Sequence, residues 1–151
     1  MSYFILGGKM GAFSQKELEY LKKQALTGAR GYIATVSRKH NPQLTPVGYV
    51  ADEERIYLNI KHDSVKARNI RRNPRVSFVV DDMIGDWKEG KIRGVSVSGE
   101  AELISSGKVW ETGRDLFYEW CPWWEDYLVR EDGWSKYILV ITPIKVRSWA
   151  L

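Results

Sequence analysis

The alternation of apolar and polar positions changes period several times along this chain, and each change marks a predicted element. Ser14 and Glu17 form an S-x-x-E capping box, after which Leu18, Leu21 and Ala25 recur at helical spacing up to Gly28, a natural helix-ending residue. Residues 1–13 before it read as a loose arm. From Gly31 the period shortens to two. Tyr32–Ser37, Leu44–Ala51 and Arg55–Ile60 read as strands, separated by R-K-H-N-P and by Asp52–Glu54. Connections this short predict antiparallel neighbours. A basic helix over 64–72 follows and stops before Asn73-Pro74. Arg75–Val80 reads as a strand buried on both faces. A turn-rich loop then leads into a long strand, Ile92–Ile104, in which Gly99 predicts a bulge or a barrel corner.

Val109, Gly113, Leu116, Phe117 and Trp120 share one face of a helix predicted over Ser106–Trp120, which Pro122 ends. Tyr137–Thr142 and Lys145–Ala150 close the chain as two strands broken at Pro143. Short sequential strands without a long unpaired edge predict a mainly β domain with peripheral helices, its strands closed into a small antiparallel barrel.

Composition narrows the class. With 44% hydrophobic and 28% charged residues, the 151-residue chain fits one globular domain over 1–151. No run approaches the ~18 apolar residues of a membrane span. The start has no basic region before its short apolar run, so no signal peptide is read there. A single cysteine, Cys121, excludes an internal disulfide and any multi-cysteine metal site, which makes the cytoplasm the default. His40 and His62 fall in predicted turns without metal-spaced carboxylates, so no metal is expected. No phosphate-loop, dinucleotide or zinc-protease motif occurs, and no histidine is placed to serve a serine triad. Cys121 itself reads as a buried small hydrophobe.

The net charge of +4 is modest, but its distribution is uneven. Between Lys61 and Arg75 stand six Lys/Arg and one acid, Asp63. Basic residues tied to one helix and its flanks favour a local anion over a nucleic-acid backbone. Arg68, Arg71 and Arg72 read as the solvated face of that helix, with Ala67 and Ile70 on the buried side. Lys66 lies in the first turn, where a cation opposes the helix dipole by about 0.3–1 kcal/mol. A phosphate bound between the helix end and the Lys66 ammonium would offset that cost. Ser64 either caps the helix or donates to a phosphate oxygen. Late aromatics, including Trp110, Trp120, Trp123, Trp124 and Trp134, read mostly as core. Trp123 and Trp124, beyond Pro122, have the alternative of covering a subunit interface or walling a planar ligand.

Laid out in this order, the segment from Leu44 to Val80 resembles the pyridoxamine 5′-phosphate oxidase-like superfamily of flavin-binding split barrels. The resemblance rests on T-P-V-G-Y-V-A-D-E-E-R-I-Y-L-N-I, then S-x-K, then R-N-I-R-R-N-P-R-V-S, and continues through I-R-G-V-S-V-S-G-E-A-E-L-I. It covers roughly 31–104 and the closing strands. The resemblance implies a homodimeric six-stranded antiparallel split barrel with a flavin, FMN, in the groove between subunits. Carried over by position, Thr45, Pro46 and Val47 would lie along the isoalloxazine, partly through backbone groups. Asn59, Ile60 and Lys61 would flank the ring and ribityl chain, and Ser64 and Lys66 would hold the phosphate. Arg93 lies where the next long strand approaches the cofactor, and Arg147 and Trp149 are where the neighbouring subunit contributes.

Two departures bear on the reaction. Many pyridoxamine-phosphate oxidases carry arginine immediately before the phosphate lysine, where this chain has Val65, and their C-terminal substrate pattern is replaced by V-R-S-W-A-L. Both point away from pyridoxamine phosphate and toward the broad branch that includes users of the 8-hydroxy-5-deazaflavin coenzyme. The expected function is a flavin- or deazaflavin-dependent oxidoreductase acting on a small organic substrate, with no catalytic side chain assigned. A non-catalytic flavin-binding protein is the main rival, and a small barrel binding nucleic acid is a third reading.

Overall fold

The computed structural model describes residues 11–122 and 137–151. Helix α1 (Gln15–Leu26) precedes strands β1 (Gly31–Val36), β2 (Pro42–Val47), β3 (Val50–Ala51) and β4 (Ile56–Asn59). Helix α2 (Val65–Arg72), β5 (Arg75–Ile84), β6 (Lys91–Ile104), helix α3 (Lys108–Trp120) and β7 (Ile138–Trp149) complete the described elements. The strands form one sheet in the order β2-β1-β5-β6-β7-β4-β3, antiparallel throughout. Its two edge strands, β2 and β3, are joined by Gly48 and Tyr49 alone. At ~3.5 Å per residue this link spans about 10 Å, so the sheet must curl until its edges meet. The result is the expected mainly β barrel with helices around it.

The helix starts follow their local chemistry. In α1 the Ser14 N–H donates to Glu17 Oε1 at 2.8 Å and the Glu17 N–H donates to Ser14 Oγ at 3.2 Å, which is the predicted capping box. Gly28 takes φ +89° just past the helix end. Glu17 also accepts from Ser148 Oγ at 2.7 Å, tying α1 to the end of β7. Phe13, assigned by pattern to the loose arm, is 3% exposed, and its N–H donates to the Glu53 carbonyl. The arm is therefore packed at residues 11–13.

The strands depart from the predicted pattern at three places. The expected strand Leu44–Ala51 is cut at Gly48–Tyr49, because β2 and β3 belong to opposite edges of the sheet. Helices α1 and α3 both pack against β3, which explains why Val50 and Ala51 are buried consecutively instead of alternating. Strand β5 alternates instead of being buried on both faces: Val76, Phe78 and Val80 point inward while Ser77 is exposed. It also runs on to Ile84, paired with β6 as far as Lys91. The two predicted closing strands are one strand, β7. Its break at Pro143 is a bulge, with Ser98 opposite Lys145 and Gly99 opposite Pro143, so Ile144 has no partner across the ladder and is 74% exposed. Gly99 is required there, since a Cβ would collide with the Thr142 carbonyl oxygen.

The core is a single apolar cluster in which Ile33, Phe78, Val97, Leu58, Leu139 and Ile141 are essentially inaccessible. No described helix is long and apolar enough to cross a membrane. Trp123, Trp124 and Trp134 lie outside the described residues.

Helix α3 lies against β4 through a glycine. A Cβ on Gly113 would stand 2.7 Å from Cδ1 of Tyr57, which is fully buried and held by a 2.7 Å hydrogen bond from its hydroxyl to Asp52 Oδ2. Replacing a mid-helix glycine by alanine ordinarily gains up to about 1 kcal/mol. Here Gly113→Ala is expected to destabilise by about 1–3 kcal/mol through overpacking, read by urea denaturation. A gain in stability would show that the helix has room to shift.

Candidate functional site

The turn between β4 and α2 presents a helix start with an unanswered positive charge. Ser64 is the N-cap, and its Oγ accepts from the Ala67 N–H at 3.3 Å. The Arg68 N–H donates to the Ser64 carbonyl at 3.0 Å, which leaves the N–H groups of Val65 and Lys66 without an acceptor among the described residues. The cap uses the Ser64 oxygen as acceptor only, so its O–H proton remains available to an anion. Capping and donation, alternatives on sequence grounds, are compatible. The first turn carries no acid. Lys66 is half-buried and has no hydrogen bond or ion pair among the described residues, and burial lowers its pKa from 10.5. Two open N–H groups, a hydroxyl and an unpaired ammonium at one helix end fit a phosphate.

The arginines of α2 serve the site indirectly. All three are exposed, as expected. Arg68 Nη1 donates to the Asp63 carbonyl at 2.6 Å and Arg71 Nη1 to the His62 carbonyl at 2.8 Å, so two of them turn back and hold the 62–63 turn. His62 stacks on Tyr137 with ring centroids 5.0 Å apart. On the buried side, Asn69 Nδ2 donates to Thr35 Oγ1 at 3.0 Å, and Thr35 Oγ1 donates to Gln43 Oε1 at 3.3 Å. This chain fastens α2 to β1 and β2. The one legible sign of it was a polar Asn69 between the apolar Ala67 and Ile70.

The other sequence-predicted residues divide into three groups. Thr45, Pro46 and Val47 end the edge strand β2, half-buried, exposed and buried respectively. Asn59 ends β4, its Nδ2 donating to the Tyr137 carbonyl at 3.0 Å, and the Lys61 carbonyl accepts from the Ser64 N–H. Val47 and Ile60 are 6% and 1% exposed, so either could meet a ligand only through its backbone. Val50 pairs with Tyr57, and continuing that register carries Asn59 to the level of Gly48, beside the end of β2. The fold thus brings residues 45–47 and 59–66 to one side of the barrel.

Arg93 already has partners within the chain. Its Nε and Nη2 donate to Asp82 at 3.0 and 2.7 Å, and its guanidinium lies 5.3 Å from the centre of the Tyr20 ring. Tyr20 donates its hydroxyl to Asp82 Oδ1 at 2.8 Å. The Arg93 hydrogen bond holds the Asp82 carboxyl below its usual range, while burial followed by the Asp82 contact pushes the Tyr20 hydroxyl up. Arg147 and Trp149 lie far along β7. Asn59 pairs with Ile138, nine residues from Arg147, which is about 30 Å of extended strand. Trp149 faces Gly94 across the ladder, with its indole over the space a Cβ would fill. Within one chain these two residues do not join the α2 site.

A curled antiparallel sheet with a helix between its fourth and fifth strands defines a class of small barrels. Residues 19–150 match the pyridoxamine 5′-phosphate oxidase family, and the chain belongs to it. It is 36% identical over 99 residues to the 5a,11a-dehydrotetracycline/5a,11a-dehydrooxytetracycline reductase of Streptomyces rimosus, covering 63% of this chain and 66% of that protein, just under two-thirds of its length. Among solved structures, a conserved hypothetical protein from Mycobacterium tuberculosis aligns with a TM-score of 0.65 at 28% identity, over 91% of this chain and 84% of the other. The heme storage protein HutZ from Vibrio cholerae shares the fold with a TM-score of 0.67 at 19% identity, over 91% and 94% of the two chains.

An unpaired cation in the first turn costs stability until an anion arrives. Lys66→Gln is expected to raise the stability of the ligand-free protein by up to about 1 kcal/mol in urea denaturation at neutral pH. Because burial lowers the Lys66 pKa in the folded state, the unfolded chain binds more protons between the two pKa values, and wild-type stability rises with pH through that window. The gain from Lys66→Gln should shrink over the same window. A loss of stability in the variant at neutral pH would mean that Lys66 already has a partner.

Proposed function

We propose that this protein is an oxidoreductase that holds a phosphorylated flavin, FMN or the 8-hydroxy-5-deazaflavin coenzyme, and reduces a small organic substrate as a homodimer in the cytoplasm. The observation that carries this reading is the half-buried Lys66, unpartnered among the described residues, beside the Ser64 hydroxyl and the open N–H groups of α2. Membership in the family and the similarity to a reductase support it. The bound ring would supply the hydride chemistry, so the chain's task is placement. Lys66, Ser64 and the Val65 and Lys66 N–H groups would hold the phosphate. Thr45, Pro46, Val47, Asn59, Ile60 and Lys61 would present backbone and short side-chain groups to the ring and its chain.

The distance of Arg147 and Trp149 from Asn59 along β7 favours a site completed by a second copy, each protomer offering its β7 end to the other's α2. Arg93, already paired with Asp82, would stiffen the hairpin behind the site and leave the cofactor to other groups. Val65, 46% exposed, stands where many relatives of the oxidase type carry arginine, so the phosphate meets one fewer cation. That difference favours a reductase of the broader branch over an oxidase of pyridoxamine phosphate. In the rival reading the same site stores flavin without turnover, and substrate-dependent bleaching of the bound pigment under anaerobic conditions would exclude it.

Lys66→Ala is expected to weaken binding of FMN about 10- to 100-fold, the worth of a charge-assisted hydrogen bond, while riboflavin, which lacks the phosphate, loses little. Fluorescence quenching titrations of both ligands measure this. Equal losses for the two would remove Lys66 from the phosphate site.

A further inference from the structure

Two hydrogen-bonded anchors on α1 hold the strand ends that meet at Gly94 and Trp149. The first belongs to the capping box. One carboxylate oxygen of Glu17, Oε1, accepts from the Ser14 N–H at 2.8 Å and closes the box, while the other, Oε2, accepts from Ser148 Oγ at 2.7 Å. The second anchor lies about one helical turn further on. Tyr20 donates its hydroxyl to Asp82 Oδ1 at 2.8 Å, and Asp82 also receives Nε and Nη2 of Arg93. Three residues apart, Glu17 and Tyr20 share one face of α1, and they are 8% and 6% exposed.

The register fixes what lies between the anchors. Asp82 pairs with Arg93 and Ser148 with Val95, on the side of the sheet where Val80 and Val95 are fully buried. By alternation Gly94, Arg147 and Trp149 point to the opposite, outer side. Each anchored residue is therefore next in sequence to an outward one: Arg93 precedes Gly94, and Ser148 stands between Arg147 and Trp149. The Trp149 indole occupies the space a Cβ on Gly94 would fill, so its placement depends on both strands.

This end of β7 has few other restraints. Strand β4 pairs with β7 over Ile138–Ile141 only, so from Thr142 onward β7 has β6 on one side and no strand on the other among the described residues. A strand held from one side opens locally at low free energy. The two anchors oppose that opening from the inner side and leave the outward side chains uncovered by α1.

We propose that Glu17 and Tyr20 are positioning residues: by holding Ser148 and the Asp82–Arg93 pair, they fix the outward Trp149, with Arg147 beside it, in the geometry that receives the flavin ring of a second copy. The choice of that ligand rests on the functional reading above; the anchors themselves stand on the hydrogen bonds and the register. One carboxylate thus serves two elements, starting α1 and setting the end of β7.

Amide exchange of the ligand-free chain, together with flavin titration of the full protein, tests this. Ser148→Ala leaves the capping box whole and removes one anchor, and Tyr20→Phe removes the hydroxyl of the other. Each should speed exchange about tenfold in the paired segments 94–96 and 147–149 while α2 and β1 stay unchanged. Each should also weaken FMN and riboflavin alike, about 3- to 10-fold, because the ring common to both loses its contact. Ser148→Thr, which keeps a hydroxyl, should behave as the wild type. In a Trp149→Ala background, Ser148→Ala should lose most of its effect on flavin affinity, as two residues acting through one contact do. Unchanged exchange in both variants overturns the proposal. So does faster exchange with flavin affinity at the wild-type level, or effects of Ser148→Ala and Trp149→Ala that simply add, since the anchors would then serve stability alone. A wild type that takes up neither flavin overturns the functional reading and this proposal together, whereas a failure confined to the Ser148 and Tyr20 variants overturns the proposal only.

Discussion

Everything in this fold answers to the two-residue link between the opposite edges of its sheet. Gly48 and Tyr49 leave β2 and β3 no freedom to lie apart, so seven strands must bend into a closed wall. Tyr49 makes the link rigid. Its hydroxyl donates to the Leu21 carbonyl at 2.6 Å, and its ring meets Phe78 edge-on with centroids 5.4 Å apart. Phe78 in turn fills the space above Gly31, where any Cβ would collide with its ring. One aromatic pair therefore couples the link to α1, β1 and β5, and α1 and α3 cover the short edge strand that a two-residue β3 would otherwise leave open.

Closure also decides where chemistry can sit. It brings the end of β2 level with the end of β4, and β4 runs straight into the turn before α2. The helix is then fastened from both sides. Asn69, Thr35 and Gln43 hold its buried face through a satisfied polar chain, and two arginines hold the turn from outside. Buried polar groups are tolerable only when each finds a partner, and the first two of these, both under 4% exposed, do. Lys66, half-buried in the first turn, has no such partner among the described residues, which points to a ligand. The Arg93–Asp82–Tyr20 cluster does the same fastening for the β5–β6 hairpin against α1.

Much of this was legible in the chain because it depends on local chemistry. The capping box at Ser14, the glycine after α1, the interruption at Gly99 and the first-turn lysine are all short-range signals, and each appears where the pattern put it. What the pattern misplaced was long-range. The alternation through Val47 and Tyr49 is continuous, so nothing local reveals that these residues belong to different edges. The bulge at Ile144 looks in sequence like a proline break, because Pro143 signals interruption without saying that the ladder resumes on the other side. Arg93 is carried to the cofactor by the resemblance alone, and its pairing with Asp82, eleven residues earlier across the β5–β6 hairpin, is a long-range contact that no local pattern reveals.

The arginines of α2 carry a consequence for how any ligand is received. By gripping the carbonyls of His62 and Asp63, Arg68 and Arg71 hold the turn in its working shape before anything binds. Holding a loop and its side chains still ordinarily costs about 0.5–1.5 kcal/mol per immobilised side chain at the moment of association. Here that ordering is completed during folding. The helix that looks in sequence like a loose basic surface has two of its arginines built into the frame of that turn, so an anion arriving at Lys66 would meet it already ordered.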